Sequence, residues 1–364
     1  MRWELSAEQA DFRAVFAEWL SETCASETVR GWFDSGDHSG FDERMVADGW
    51  FGVGSAEDLG GEGGGLVELA LAAEELGRVA APASAWLGSM LAIPTLASMP
   101  EAAKALLADG VTTVLAVPAG TLPGGGPGVT DCDGALVGTV ATVLAAQRAQ
   151  RFVVPVADEH GPALRLVEVD QPRVQLRNRA LTDRSRSVAD VVLDGATGTV
   201  IPVDDVAAAL EGAALRAAVL VAADALGVME RMLDDTVEYV QQRKQFGAPI
   251  GSFQAVKHAA AEMLVKVEAA RSIVYFAAAS VGSGHADASL HAAAVKAQVC
   301  GSAAQAADAA LTLHGAIGYT WEHDLQIFYK RAKLDAELFG SPGSWNDLLA
   351  DRLPLVSARS EGSG

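Results

Sequence analysis

The 364-residue sequence is poor in cysteine, in aromatic residues and in positive charge. Its three cysteines, Cys24, Cys132 and Cys300, lie far apart and form neither a spaced metal-binding pair nor a disulfide framework, so a reducing compartment, the cytoplasm, is expected. Lys and Arg number 27 against 47 Asp and Glu, which gives a formal net charge of −20. This balance argues against nucleic acid and anionic membrane as partners.

Long uninterrupted hydrophobic runs are also missing. No run of about 18 apolar residues is free of charged residues or glycine breaks, so no transmembrane span is predicted. The stretch 1–16 is amphipathic and acidic, unlike a signal peptide. The seven histidines show no spacing typical of a metal site, so no metal is expected. What remains is a chain that is half hydrophobic and long enough for two or three packed units.

The first zone, residues 1–110, is predicted to be an all-α domain. Helical spacing runs from Glu8 to Leu20, and LVELALAAEELG (66–77) is typical of a helix that ends at Gly77. LGGEGGG (59–65) lacks the preceding strand that a phosphate loop needs, so a plain loop is expected there.

The second zone, residues 111–205, is predicted to be a β domain, as a sandwich or a barrel. DCDG (131–134) is typical of a hairpin turn. Short Val-rich runs separated by Gly, Pro and Asp predict five strands: Thr112–Val117, Leu136–Val143, Phe152–Val156, Leu164–Val169 and Val188–Leu193.

The third zone, residues 206–352, returns to helix and is followed by a tail, residues 353–364. The spacing predicts a long helix over Val206–Gln242, a second capped by Ser252, a third over 288–313 that stops at Gly315, and a fourth from Asp324. WEHD (321–324) is interpreted as an acidic, capping first turn of that fourth helix. The fold class is therefore α+β, with a helical bundle after a β domain.

Two stretches carry a family resemblance. RKQFGAPIGSFQAVKHAAAEM (243–263) and HGAIGYTWEHDLQIFYKRAKL (314–334) resemble the two C-terminal signatures of acyl-CoA dehydrogenases, and residues 49–82 resemble the family's N-terminal helical domain. The resemblance implies the family's fold: an N-terminal helical domain, a middle β-barrel or sandwich, and a C-terminal four-helix bundle.

The resemblance also implies FAD as cofactor. In the family the dinucleotide lies across a dimer interface, with its ring in one subunit and its pyrophosphate and adenine end against the neighbour. Arg243 would then bind pyrophosphate oxygens, because its planar fork suits paired contacts. The other implied contacts are Gln245, Phe246, Phe253 and Gln254, together with the turn residues His314, Gly315, Ala316 and Gly318.

Each of these two motifs also has an ordinary structural interpretation. Residues 243–254 could be a helix–turn–helix with a surface Arg, and Gly315 could be a plain helix C-cap. The family usually carries Gln and Gly at the places held here by Thr312 and Ala316. That departure weakens the assignment of the second motif to the adenine side.

The catalytic base of the family is missing at both of its usual places. The family's reaction needs a positioned carboxylate to remove the proton alpha to the thioester. Phe339 falls at the commonest base position, and Ala217 falls at the alternative one. No catalytic residue is therefore assigned, and the remaining weak candidates are Asp224, Glu230 and Glu337.

Asp335 and Glu337 lie near Phe339 in sequence. On a helix they would be turned away from it, so both are interpreted as part of a solvated face. The flavin-ring cradle is also unrecognisable. AVPAGTLPGGGPG (116–128) replaces the family's usual loop, and the strand ATVLAAQRA (141–149) has no Trp.

This pattern resembles the non-catalytic subunits of actinobacterial α2β2 acyl-CoA dehydrogenases. The resemblance implies a homologous catalytic partner that binds most of the acyl-CoA substrate, possible steroid side-chain CoA substrates, and an electron-transfer flavoprotein as acceptor. Two alternatives stay open: a self-sufficient homomeric dehydrogenase with a displaced carboxylate base, and a non-enzymatic scaffold subunit.

Overall fold

The computed structural model describes residues 5–122 and 126–353. Within them a helical unit, a β unit and a second helical unit follow one another, which confirms the predicted fold class. The predicted tail lies outside the described residues, apart from Leu353.

In its described part, from residue 5 onward, the first unit contains six α-helices. Ser6 and Gln9 form a capping box at the start of the first. The helices are α1 (Ala7–Thr23), α2 (Ser26–Ser35), α3 (Ser39–Ala47), α4 (Leu66–Arg78), α5 (Ser84–Ala92) and α6 (Pro100–Leu107).

Gly77 does not end α4, so that prediction was wrong. The helix continues through Arg78, and Gly77 is buried against another backbone. A Cβ at Gly77 would lie 2.1 Å from the carbonyl oxygen of Asp224, and one at Gly227 would lie 1.8 Å from that of Glu74. The two glycines therefore let two helices cross backbone to backbone, which joins the first unit tightly to the third.

The β unit is one mixed sheet. Its path runs β6-β7-β3-β2-β4-β5-β8, and β1 pairs with β4 in parallel. The predicted five strands are present, whereas β2, β6 and β8 were not predicted. The strands are β1 (Thr113–Leu115), β2 (Val129–Cys132), β3 (Ala135–Leu144), β4 (Arg151–Asp158), β5 (Gly161–Glu168), β6 (Val174–Arg179), β7 (Val188–Ala196) and β8 (Thr199–Ile201).

The hairpin predicted at DCDG joins β2 to β3. Cys132 pairs with Ala135 in antiparallel register, and the two turn residues, Asp133 and Gly134, have φ of 54° and 86°. Positive φ at both places defines the turn whose twist suits a two-residue hairpin.

The third unit is built round one long helix. Its bounds match the prediction for 206–242, and α11 was not predicted. The elements are α7 (Val206–Gln242), β9 (Lys244–Gln245), β10 (Ala248–Pro249), α8 (Gln254–Gly282), α9 (Ala288–His314), α10 (Leu325–Glu337) and α11 (Pro342–Arg352).

Ser252 does not cap α8, which corrects the prediction. Phe253 occupies the N-cap position without a side-chain bond, and the Ser252 hydroxyl donates to the Pro249 carbonyl instead. The first amides of α8 therefore have no side-chain acceptor in the part of the chain that the structure describes.

Helix α7 is, among the described residues, the one helix long and apolar enough to cross a membrane. It is the core helix of the third unit, since α4, α8, α9 and α10 all pack against it. Half of its most apolar window is buried inside the protein. Packing around a core explains its composition.

Candidate functional site

The first predicted motif folds as a small hairpin at the end of α7. Arg243 is the C-cap of the helix and donates its backbone N–H to Tyr239. Lys244–Gln245 then pairs antiparallel with Ala248–Pro249, and Phe246-Gly247 forms the tip. The hairpin closes when the amide of Ile250 donates to the carbonyl of Arg243 over 2.7 Å.

Phe246 at the tip is both strained and exposed. Its φ is 52°, a left-handed conformation that costs about 1–2 kcal/mol for a residue with a side chain. Its ring is 94% exposed and meets Phe253 edge-on, with 6.1 Å between ring centroids. Two unfavourable features at one residue suggest that the ring is held out for contact with another molecule.

Arg243 adds a cation beside the aromatic pair. Its guanidinium is exposed and, among residues 5–122 and 126–353, makes neither an ion pair nor a side-chain hydrogen bond. Gln245 and Gln254 are also exposed, and Gln254 opens α8. A helix N-terminus with free amides attracts anions, so this surface combines a cation, amide donors and flat apolar groups.

The second predicted motif lies beside the first. Helix α9 ends at Gly315, whose φ is 63°, and a 3-10 turn follows over Gly315–Tyr319. Tyr239, one turn before Arg243, stacks on the His314 ring at 4.4 Å and donates its hydroxyl to the His314 carbonyl. The tyrosine, which sequence reasoning missed, thus ties the two motifs together.

Within this turn the predicted residues face different ways. Ala316 is exposed, as are Ile317 and Tyr319, which were not predicted. Ile317 and Tyr319 could have been predicted as surface residues of the site, because both belong to the HGAIGY motif (314–319). His314 and Gly318 instead face inward.

His314 and Gly318 are packed inside the protein, and their role as direct cofactor contacts stays a prediction. His314 is 3% exposed, and its Nδ1 donates to the Ala310 carbonyl. Burial lowers the pKa of His314 below its usual value. A Cβ at Gly318 would come within 2.9 Å of Leu311, so this glycine serves close packing.

Phe339, at the family's commonest base position, lies in a closed loop. It has a φ of 54°, is 1% exposed and donates its amide to the Ala119 carbonyl over 2.7 Å. Next to it, a Cβ on Gly340 would lie 3.0 Å from Leu122. The loop after α10 therefore packs directly on the β unit, on residues 119–122 of the stretch that replaces the family's ring cradle.

Two side chains that sequence reasoning missed hold this loop. The Trp345 indole donates to the Phe339 carbonyl over 2.9 Å. Lys296, with no exposed surface, donates to the carbonyls of Asp335 and Gly340 at 2.9 Å and of Ala336 at 3.3 Å. An isolated Lys in an Ala-rich helix gives no sequence signal for such a role.

Asp224, a weak base candidate, is fully engaged. Its two carboxylate oxygens accept from Arg331 at 2.8 and 2.6 Å, and Arg186 lies 3.1 Å away. Despite burial, which acts the other way, the two guanidiniums hold the pKa of Asp224 well below its usual range. A carboxylate paired in this way is a poor proton acceptor.

Asp335 is not part of a solvated face, which corrects that prediction. It is completely buried, and neither carboxylate oxygen has a hydrogen-bond partner within the described residues. Burial, together with the charge of Asp224, raises its pKa well above the usual value. The prediction placed it outward because it lies one turn before Phe339, but its carboxylate faces the interior, 3.9 Å from Arg186. Glu337 is exposed, as predicted.

Glu230, another weak candidate, belongs to a different network. It accepts from Arg78 at 2.9 Å and from Arg271, and Arg13 lies 3.7 Å away. Ala217, at the alternative base position, is completely buried in α7. The described structure thus offers no unpaired carboxylate at either base position.

The WEHD segment does not cap α10 through its acid, so that interpretation was wrong. Asp324 binds Arg30 and Ser26 of α2. His323 takes the capping role, because its Nδ1 accepts the amide of Leu325. Across residues 5–122 and 126–353, no group of three or more His, Cys, Asp or Glu could hold a metal ion.

The surface formed by Arg243, Gln245, Phe246, Phe253 and Gln254, the hairpin surface, fits one end of a dinucleotide, whereas the loop at Phe339 offers no carboxylate at the family's base position. The exposed Arg243 guanidinium and the free amides of α8 suit a pyrophosphate, and Phe246 and Phe253 suit a flat base. At Phe339 the space is filled by direct contact between the loop and the β unit.

Two family models match the chain. The model for "Acyl-CoA dehydrogenase, N-terminal domain" matches residues 6–106, and that for "Acyl-CoA dehydrogenase, C-terminal domain" matches residues 208–353. The second match includes both turn motifs.

Individual proteins are similar over most of the chain. Acyl-CoA dehydrogenase IpdE2 of Mycobacterium tuberculosis is 35% identical over 289 residues, which cover 79% of this chain and 77% of that protein. The ChsE4-ChsE5 complex from Mycobacterium tuberculosis has a chain with a TM-score of 0.87 at 25% identity, covering 98% and 100% of the two chains. A variant of the Tcur3481-Tcur3483 steroid ACAD gives a TM-score of 0.84 at 25% identity, covering 94% and 97%.

Proposed function

The chain belongs to the acyl-CoA dehydrogenase family, and from that premise we propose that it is the non-catalytic subunit of a heteromeric dehydrogenase. The family comprises oxidoreductases, and the cofactor is FAD. In this proposal the subunit completes the FAD site of a related catalytic chain, most simply in an α2β2 assembly, and works in the cytoplasm.

One observation carries the proposal. The surface that would reach a neighbour's cofactor is exposed and unpaired, with Phe246 94% exposed at its tip. The chain's own base position is filled by Phe339, which is 1% exposed and packs on the β unit. A self-sufficient enzyme would need both half-sites.

The residues of the hairpin surface have distinct roles in this proposal. Arg243 binds the pyrophosphate, and Phe246 and Phe253 cover the adenine end. Gln245 and Gln254 supply side-chain hydrogen bonds, and the backbone at Gly315 and Ala316 approaches the cofactor closely. FAD, when bound, would supply the acceptor for the two electrons that desaturation removes.

The proton chemistry falls to the partner. Removing a proton alpha to a thioester needs a carboxylate in reach, and Phe339 and Ala217 cannot provide one. Asp224 and Glu230 are each bound by arginines, so neither carboxylate is free to accept a substrate proton. The partner would therefore supply the base and bind most of the acyl-CoA, with an electron-transfer flavoprotein as the acceptor.

The substrate class follows from the named relatives. One structural neighbour is a steroid ACAD, and another is a complex of two differently named chains. We extend this to an acyl-CoA with a bulky steroid side chain and to a heteromeric state for this chain.

Co-expression tests the proposal. The chain produced alone should be colourless or aggregated, whereas co-production with a related chain that carries a Glu base should give a yellow complex with one FAD per heterodimer. Absorbance at the flavin band and mass spectrometry of the intact complex measure this ratio. A yellow homomer that oxidises acyl-CoA without a partner would overturn the proposal.

A further inference from the structure

Tyr239, near the end of α7, lies at the junction of the two motif segments. Its carbonyl accepts the amide of Arg243 over 2.8 Å, and this bond closes the last turn of α7 before the hairpin. Its ring stacks on His314, the last residue of α9, with 4.4 Å between ring centroids and 20° between ring planes. One residue thus contacts the first motif through its backbone and the second through its side chain.

The His314 ring is itself held by neighbours other than Tyr239. Its Nδ1 donates to the Ala310 carbonyl over 2.8 Å, one turn back in α9. The ring of His323 meets it at 4.9 Å and 70°, and His323 accepts the amide of Leu325 at the start of α10. Tyr239 therefore stacks on a ring that is fixed to both α9 and α10.

One side of the Tyr239 ring borders a polar hollow instead of the apolar core. The hollow has a volume of about 280 Å³, and Tyr239 lines it together with Glu238 and Gln242 of the same helix. The ring is half-buried. Its orientation consequently depends on two specific contacts, which are the stack on His314 and the hydroxyl bond of 3.3 Å to the His314 carbonyl.

The two motif segments offer different groups to one ligand. Arg243 presents its guanidinium, whereas the Gly315–Ala316 segment presents backbone. A ligand that meets both groups at once requires their separation to be held to within about 0.5 Å. Tyr239 contacts both segments directly, so a change at its side chain alters the relation between them.

We propose that Tyr239 is a positioning residue for FAD, which sets the separation between Arg243 and the Gly315–Ala316 backbone without touching the cofactor. This role rests on the proposed function, because it takes the hairpin surface to be the cofactor site. A residue that acts through the placement of Arg243 loses its influence once the Arg243 guanidinium is removed. The role can therefore be tested separately from the site itself.

A double-mutant cycle provides the test. FAD is titrated into the apo complex of the full-length chain with its partner, and the Kd is measured by flavin fluorescence. Tyr239→Leu should raise the Kd about tenfold, because the ring stack and the hydroxyl bond are both lost. In the Arg243→Ala background the same substitution should change the Kd by less than about twofold. A general loss of stability would act equally in both backgrounds, so the two factors would then multiply.

Three further variants complete the cycle. Tyr239→Phe keeps the ring stack and removes only the hydroxyl, so it should raise the Kd about twofold. Tyr329→Leu makes the same change at a half-buried tyrosine of α10, whose hydroxyl donates to Asp308, and should leave the Kd unchanged. If Tyr239→Leu does not assemble, Tyr239→Met, which keeps a long side chain and suits a helix, replaces it in the cycle.

Two results would contradict this role in different ways. If Arg243→Ala itself leaves the Kd for FAD unchanged, the hairpin surface is not the cofactor site, and the proposed function and the role of Tyr239 are both wrong. If Arg243→Ala weakens FAD binding but Tyr239→Leu has no effect, or if the two factors multiply, the cofactor site stands and only the role of Tyr239 is wrong.

Discussion

The hairpin surface and the closed loop at Phe339 are the two regions where the family's cofactor would be met, and they are built in opposite ways. At the hairpin, Phe246 is strained and exposed, and the guanidinium of Arg243 has no partner among the described residues. At the loop, Phe339 is buried and its amide and carbonyl are both satisfied. The surface that would bind a neighbour's cofactor and the site that would serve the chain's own chemistry are built by different segments. The difference teaches that these two sites can change independently in evolution.

The largest expected loss of stability comes from placing a carboxylate in the closed loop. Phe339→Glu places a carboxylate where the family has its base, but in a site without space or partners. We expect a loss of about 3–5 kcal/mol of unfolding free energy at neutral pH and no gain of flavin or activity, since an uncompensated charge is buried. Chemical denaturation and flavin absorbance measure both. Phe339→Leu, which stays apolar, should cost much less, and a yellow, active Phe339→Glu homomer would erase the contrast between the two regions.

Removing the buried Lys296 should cause the next largest loss of stability. Lys296→Met leaves the carbonyls of Asp335, Ala336 and Gly340 without their donor, so we expect a loss of about 2–4 kcal/mol. The control is Lys257→Met, at an exposed position of α8, which should be nearly neutral. Similar melting temperatures for the two variants would show that Lys296 does not hold the loop.

At the hairpin, the effect should appear in cofactor binding and not in stability. Arg243→Ala should raise the Kd for FAD of the complex about 10- to 100-fold, because a hydrogen bond to a charged group contributes about 1.5–3 kcal/mol. Fluorescence titration of the apo complex measures it. Arg173→Ala, on the exposed surface of the β unit, is the matched control. Unchanged FAD affinity in Arg243→Ala would remove this residue from the cofactor site.

A smaller effect is expected at Phe246, where one substitution should raise stability and weaken FAD binding. Phe246→Gly relieves the left-handed strain and should raise stability by about 0.5–1 kcal/mol, while it weakens FAD binding by about 0.5–1.5 kcal/mol. Phe246→Ala also removes the ring but keeps a Cβ at positive φ. It should therefore lose the same affinity without the gain in stability. If both variants bind FAD as the wild type does, the exposed ring has another purpose.

The smallest effect concerns pH. Burial lowers the folded-state pKa of His314, so the unfolded chain binds a proton more readily. The contribution to stability is then complete above about pH 6.5 and is lost as the pH falls through the folded pKa. His314→Gln should flatten part of this slope, and His258→Gln, at an exposed site, should not. His38 shifts in the same direction and accounts for another part.

The fold was predictable from the sequence wherever the pattern was long. Helix α7 was placed to the residue because its apolar periodicity is continuous between Val206 and Gln242. The short strands β6 and β8 lacked that signal, since β6 is largely exposed and β8 has three residues. Gly77 and Ser252 were wrongly predicted as helix caps, because glycine and serine near a helix end usually are caps. Gly77 instead allows a close helix crossing, and Ser252 instead bonds within the turn before α8.

The sequence predicted which residues belong to the candidate site, but not their exposure, backbone conformation or contacts. Family motifs pointed to Arg243 and Phe246, but no sequence pattern indicated that Phe246 would be exposed at positive φ. Asp335 was assigned to a solvated face because local spacing cannot show which side of α10 the rest of the protein covers. Lys296 was missed for the same reason, since its partners are backbone carbonyls more than thirty residues away.

The exposed ring at the hairpin tip has a consequence for how cells would balance the two chains. In the proposed heteromer, Phe246 is covered once the partner and its cofactor are in place. An unassembled copy would display a bare aromatic side chain on a hairpin, the kind of feature that chaperones retain and proteases remove. Surplus subunits would then be cleared after synthesis, so the stoichiometry of the complex would be enforced by turnover even where the two genes are expressed unequally.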